Sequence, residues 1–223
     1  RVLISEPTFA LYRQVATVLG GHLISVPLTG EFQFDVESLA REIEQTKPDV
    51  VILCTPNNPT GCVLSAEDLS RLLSIAPGLV VIDEAYHEFA QRSVVSLLNE
   101  FDRLVVLRTF SKAMALAALR VGYLLASPAL VTEIRKAVLP YNLNAFSQTA
   151  AEVAIDLYEA ELLPLVRSIM SERDRLFKEL KTIPGLSPIK SEANFMIAKA
   201  TVGPKQIFDE LIKKDILVRD VSS

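Results

Sequence analysis

Lys112 stands at the start of an apolar run, Ala113 to Leu119, which reads as a core segment that partly desolvates the lysine and fixes its spacing to Arg120, eight residues on. Two hydroxyls, Thr109 and Ser111, come just before the lysine. An amine that is partly desolvated, or set near another cation, has a lowered pKa and becomes a nucleophile toward an aldehyde. A guanidinium grips a phosphate through two parallel charge-assisted hydrogen bonds, and adjacent hydroxyls add donors. Asp83 ends the run LVVID, Tyr86 follows three residues later, and Asn58 lies in the turn sequence TPNNPTG. A carboxylate can hold a pyridine nitrogen protonated, while a phenol and an amide can both donate to a ring oxygen. A lysine suited to Schiff-base chemistry, a phosphate grip, a carboxylate and two oxygen donors are together what a pyridoxal 5'-phosphate site requires.

Taken singly, each residue also has a plainer role. A lysine beside an apolar run is commonly a surface charge, Asp83 could cap a loop, and Tyr86 could be a half-buried aromatic. PNNPTG is first of all a turn, and Arg120 could pair with a carboxylate. Position favours one shared ligand, because the three clusters follow three strand-like runs. Glu84 and His87 specify no chemistry by themselves and read as structural.

The elements that must position these groups alternate along the chain. VLIS (Val2 to Ser5) reads as a strand, LYRQVATVLGG as a helix closed by Gly20 and Gly21, and HLISVPL as the next strand. Asp35 opens a helix whose apolar positions Val36, Leu39, Ala40 and Ile43 recur at helical spacing. DVVILC (Asp49 to Cys54) is continuously apolar, as a strand covered on both faces would be. Ser65 and Asp68 resemble a capping box for a helix through Leu73. LVVID and RLVVLR (Arg103 to Arg108) complete a series that implies a mostly parallel α/β sheet with helices on both faces. In such sheets ligands bind beyond the carboxyl ends of the strands, where all three clusters fall. Beyond Pro140 the pattern changes to long helices from Ala145 to Leu180, broken or kinked at Pro164. The turn IPGL, an apolar NFMIA and an amphipathic helix around Gln206 to Lys213 then suggest part of a smaller α+β domain. The expected division is 1–144 for a large domain, 145–182 for interdomain helices and 183–223 for a partial small domain.

The totals narrow the function classes. The chain has 223 residues, half of them hydrophobic, with net charge −4. That charge argues against nucleic acid or an anionic membrane as the main partner. Every stretch of 18 or more apolar residues is interrupted by charge, so no bilayer span is expected. Cys54 and Cys62 sit in no paired or metal-like pattern and read as two reduced thiols of a cytoplasmic protein. The chain begins at Arg1 within a strand-like run and stops just after ILVRD, which suggests a fragment of a longer protein.

In order, EPTF, TPNNPTG, VIDEAYHEF, TFSKA, LRVGYLLA, PYNLN, ANF and ILVRD resemble the fold-type I pyridoxal-phosphate aminotransferases of classes I and II. The most similar subgroup is that of the histidinol-phosphate aminotransferases. The resemblance implies that Lys112 forms the Schiff base and that Asp83 pairs with the pyridine nitrogen. Tyr86 and Asn58 would contact the phenolic oxygen, and Thr109, Ser111 and Arg120 the phosphate. Phe9 would stack on the ring, and Arg219 would contact a substrate phosphate. It further implies a homodimer that moves an amino group between histidinol phosphate and glutamate/2-oxoglutarate. An aromatic aminotransferase, a phospho-amino-acid decarboxylase of the same fold, or an inactive cofactor-binding fragment are the alternatives. Ala115 and Ala118 stand where the family usually has glycine; packing should survive unless either position needs a positive φ.

Overall fold

The computed structural model describes residues 1–221. Short β-branched runs become strands: β1 (Val2–Glu6), β2 (Leu23–Pro27), β3 (Val50–Cys54), β4 (Leu79–Asp83) and β5 (Leu104–Thr109). Between them lie α1 (Leu11–Val18), α2 (Val36–Thr46) and α3 (Ala66–Ile75). The strands stack in the order β2-β1-β3-β4-β5-β6, and the first five are parallel. The sixth, β6 (Gly122–Ala126), returns antiparallel to β5 from within the LRVGYLLA motif.

Alternation within the strands sends side chains to both faces of the sheet. Leu3, Val51, Leu53, Val80, Ile82, Leu104 and Val106 pack with Leu39, Ile43, Leu69 and Leu72 of α2 and α3. On the other face Ile4 and Cys54 meet Tyr12 of α1. Each large aliphatic side chain so buried contributes about 1.5–3 kcal/mol. The two helix starts read from sequence are real caps: Asp35 accepts from the Ser38 N–H at 3.0 Å and Ser65 from the Asp68 N–H at 3.0 Å. In the second cap the Asp68 carboxylate also accepts the Ser65 hydroxyl, at 2.6 Å.

The chain then passes through α4 (His87–Ala90) before β5 and α5 (Pro128–Arg135) after β6. Next come α6 (Ala145–Asp156) and α7 (Leu163–Leu180), joined by a π-turn over Tyr158–Leu162. Pro164 lies in the first turn of α7, where its missing N–H costs nothing, so the break falls just ahead of it. Val166 of α7 packs with Tyr86, Phe89, Ala113 and Ala193, and Arg173 donates to the carbonyls of Phe89 and Ala193. A small antiparallel pair, β7 (Leu186–Pro188) with β8 (Ala198–Ala200), and α8 (Pro204–Ile212) follow. Among the described residues no helix is long and apolar enough to cross a membrane.

Candidate active site

The strand order reverses direction between β1 and β3, the kind of switch point beyond whose strand ends open α/β sheets bind ligands. Asp83 is the last residue of β4, opposite Cys54 at the end of β3. Its Oδ1 accepts from the Ala85 N–H at 2.9 Å, and its Oδ2 accepts from the Tyr12 hydroxyl at 2.6 Å. Burial raises the Asp83 pKa above the usual carboxylate range, while Tyr12, the Ala85 N–H and the Lys112 charge oppose it. Burial likewise pushes Cys54 up to about 12.

Asn58, in the loop after β3, donates from Nδ2 to the Tyr86 hydroxyl at 3.2 Å. Tyr86 is buried, stands edge-on to Phe195 with ring centroids 5.0 Å apart, and is pushed up to about 12 chiefly by burial. The Lys112 ammonium lies over the Tyr86 ring, 5.3 Å from its centroid. Asp83, Tyr86, Asn58 and Lys112 therefore meet around one point. Thr109 and Ser111 share a hydrogen bond of 2.9 Å, and both line a cleft of about 590 Å³ with Arg120. Arg120 donates to the Ala117 carbonyl at 2.9 Å and keeps its remaining donors exposed.

Two expectations about this segment need correction. The run Ala113 to Leu119 is not a buried segment: Ala113 is buried, but Ala115, Ala117 and Ala118 are exposed and a 3-10 turn spans Ala117–Leu119. Lys112 is itself exposed, so apolar neighbours do not desolvate it. Ala115 does take the left-handed conformation, at φ +56°, as does Arg120 at φ +56°. Ala118 does not. The glycine question raised by the sequence is thus a question about Ala115 alone.

Phe9 is 43% exposed and stands edge-on to Tyr12, with centroids 5.7 Å apart. Arg219 is exposed in the stretch after α8, which has no regular structure. Sequence reasoning missed Tyr12, although helical spacing places it with Ala16 on the buried side of α1, where a hydroxyl needs a partner. It also missed Asn57, which is buried, donates to the Pro7 carbonyl at 2.9 Å and accepts from the Thr8 hydroxyl at 2.7 Å. Asn57 thereby joins the loop after β1 to the loop after β3. Glu84 is structural, as read: it is buried and held by Arg108, Ser93 and the Val94 N–H.

A doubly wound sheet with an acid, a lysine and a hydroxyl pair at successive strand ends has a recognisable class. All 223 residues match the family described as Aminotransferase class I and II, and the chain belongs to that family. It is 40% identical over 221 residues to the histidinol-phosphate aminotransferase of Thermoanaerobacter pseudethanolicus, covering 99% of this chain and 62% of that one. Histidinol-phosphate aminotransferase 1 of Carboxydothermus hydrogenoformans is 42% identical, with 98% and 62% covered. The crystal structure of histidinol-phosphate aminotransferase from Sinorhizobium meliloti in complex with pyridoxal-5'-phosphate superposes with a TM-score of 0.89. It is 27% identical, covering 99% of this chain and 62% of that one. The chain spans about 62% of the length of the curated relatives it matches.

Proposed function

We propose that this chain carries the cofactor-binding core of a pyridoxal-phosphate aminotransferase that takes histidinol phosphate and 2-oxoglutarate as its amino donor and acceptor pair. The observation that carries the reading is the convergence of Asp83, Tyr86, Asn58 and Lys112 at adjacent strand ends. The donor set suits the cofactor chemically. Asp83 is a carboxyl group whose two oxygens each accept one hydrogen bond and keep a second lone pair, Asn58 and Tyr86 carry donors, and Thr109, Ser111 and Arg120 sit together on one cleft. Names given to relatives about 40% identical supply the substrate class.

Pyridoxal phosphate, when bound, supplies an aldehyde that captures amines and a conjugated ring that accepts electrons. Lys112 would hold it through Nζ and, once released, carry a proton from the substrate Cα as general base and acid. Asp83 would stay ionised against a ring N–H. Tyr86 and Asn58 would donate to the phenolic oxygen, and Thr109, Ser111 and Arg120 would hold the phosphate. Phe9 would stack on the ring, and Arg219 would meet the substrate phosphate. With this reading go a large domain over residues 1–144, linking helices over 145–182 and a small domain over 183–223. A homodimer in the cytoplasm is part of the same proposal, drawn from the family.

Titration of the purified chain with pyridoxal phosphate tests the core of the reading. A visible absorbance band should grow in, borohydride should fix the cofactor to Lys112 in a peptide map, and Lys112→Ala should lose both. A band of unchanged intensity in Lys112→Ala would sink the assignment. Amino exchange measured with histidinol phosphate against phenylalanine then decides the substrate class.

A further inference from the structure

The Tyr12 hydroxyl reaches across 71 residues of sequence to a carboxylate rather than to any nearer carbonyl. Tyr12 is buried in a small cluster with Ile4 and Cys54, on the face of the sheet covered by α1. Its ring is held edge-on by Phe9. The two oxygens of Asp83 are taken one each, by Tyr12 and by the Ala85 N–H, so the carboxylate cannot swing about its last torsion. Each oxygen still has a second lone pair to offer.

We propose that Tyr12 is a positioning residue for Asp83: its hydroxyl keeps the carboxylate ionised and fixed in orientation to receive a cationic ring N–H. The inference rests on the cofactor reading above, but its first half concerns this chain's own residues. A buried carboxylate tends to take up a proton, and a protonated Asp83 could no longer balance a pyridinium. A hydrogen bond donated to the charged form opposes that tendency. The other titratable groups facing Asp83 are Cys54 from β3, Lys112 from the turn after β5, and Glu84 and Tyr86 from its own loop. Burial holds the Cys54 thiol neutral near pH 7, and burial also raises the Tyr12 pKa far beyond that range. Lys112 is the cation of the group, and it is exposed, which screens it. Tyr12 is thus the buried donor on α1 whose removal leaves Asp83 with only the Ala85 N–H and a screened charge.

The test has a readout that needs no cofactor. Carbon-13 NMR of the Asp83 carboxyl, assigned with Asp83→Asn, is followed against pH in the wild-type chain and in Tyr12→Phe. The titration midpoint should move to higher pH in Tyr12→Phe, and 3-fluorotyrosine at position 12, a stronger donor of the same shape, should move it lower. Unmoved midpoints in both would overturn the proposal, and the fluorinated chain decides alone should Tyr12→Phe not fold. In the loaded protein, Tyr12→Phe should still be trapped at Lys112 by borohydride. Its bound cofactor should lose the spectrum of the protonated ring at a lower pH than wild type, and on an Asp83→Asn background the same change should shift nothing further. An equal shift on that background would show that Tyr12 acts other than through Asp83 and would also overturn the proposal. A wild-type chain that takes up no cofactor would defeat the functional reading, while the carboxyl titration would still judge Tyr12.

Discussion

Glu84 and Arg108 are joined across the ends of β4 and β5 by two hydrogen bonds to one carboxylate oxygen, from Nε at 3.0 Å and from a terminal nitrogen at 2.8 Å. Glu84 directly follows Asp83, and Arg108 directly precedes Thr109. The pair therefore ties together the strand end carrying the buried acid and the strand end carrying the hydroxyls. Glu84 is also satisfied by the Val94 N–H at 2.6 Å and the Ser93 hydroxyl at 3.0 Å, so this buried charge has a full set of partners. A buried ion pair is costly to halve and cheap to keep whole.

Replacing Arg108 with Met should therefore destabilise the chain by about 3–5 kcal/mol, because Glu84 is left charged, buried and without its cation. Glu84→Gln in the same background should recover part of the loss, since the orphaned charge is gone. Urea denaturation of the two single variants and the double variant gives the coupling. Additive effects would mean that the two side chains do not act as a unit.

Ala115 is exposed and adopts φ +56°, a conformation that costs a residue with a Cβ about 1–2 kcal/mol. Glycine avoids that cost but loses more entropy on folding, about 0.4–1 kcal/mol relative to alanine. Ala115→Gly should accordingly raise stability by roughly 0.5–1 kcal/mol. Ala118→Gly, in a 3-10 turn without positive φ, should give no gain. Denaturation midpoints of the two variants check the contrast, and equal effects would contradict it.

The contrast between these two alanines illustrates what the sequence makes legible. Helical and strand periods, the Asp35 and Ser65 caps and the polar clusters at strand ends are local patterns, and the structure follows them closely. Whether Ala115 or Ala118 takes the left-handed turn depends on the Ala115 N–H meeting the Lys112 carbonyl, which no period encodes. The run beyond Lys112 looked buried because it is apolar, yet alanine is small enough to line an exposed turn at little cost. β6 escaped notice as a separate strand because its pairing with β5 is antiparallel and reached through that turn. Tyr12 with Asp83, and Asn57 with Pro7 and Thr8, are contacts between distant parts of the chain, decided by the strand order rather than by either local sequence.

Gly61 marks where the loop after β3 meets the C-terminal part of the chain. Its φ is +72°, and a Cβ there would lie 1.9 Å from the Ser191 Oγ and 2.9 Å from the Ser191 Cα. Its carbonyl accepts from the Glu192 N–H at 2.8 Å. Gly61→Ala must both strain the turn and push Ser191 away, so a loss of about 2 kcal/mol or more is expected. Limited proteolysis should cut the segment around Ser191 faster in the variant. Removing the hydroxyl with Ser191→Ala should return only part of the loss, because the clash with the Ser191 backbone and the positive φ both remain. Full recovery would place the whole cost on the hydroxyl.

Asp83 sets stability against function in a pH-dependent way. Burial raises its folded pKa above the unfolded value of about 3.9. An acid whose pKa rises on folding is easier to protonate in the native state, so the native state is penalised wherever the group must stay charged. That penalty is fully present above the folded pKa. It shrinks as pH falls through the folded pKa and is gone below about 3.9, where both states are protonated. Asparagine has nearly the same shape and can keep both contacts, with Oδ1 accepting from the Ala85 N–H and Nδ2 donating to the Tyr12 oxygen. Asp83→Asn should therefore raise the unfolding midpoint of the cofactor-free chain at pH 7, with a gain that declines steadily on acidification. Thermal melts at a series of pH values read both the sign and the trend. A variant less stable than wild type by the same amount at every pH would mean that the bonds to Tyr12 and Ala85 outweigh the burial of the charge. A gain at neutral pH, accompanied by loss of the anion that would face the cofactor ring, is the pattern expected of a residue kept for chemistry rather than for the fold.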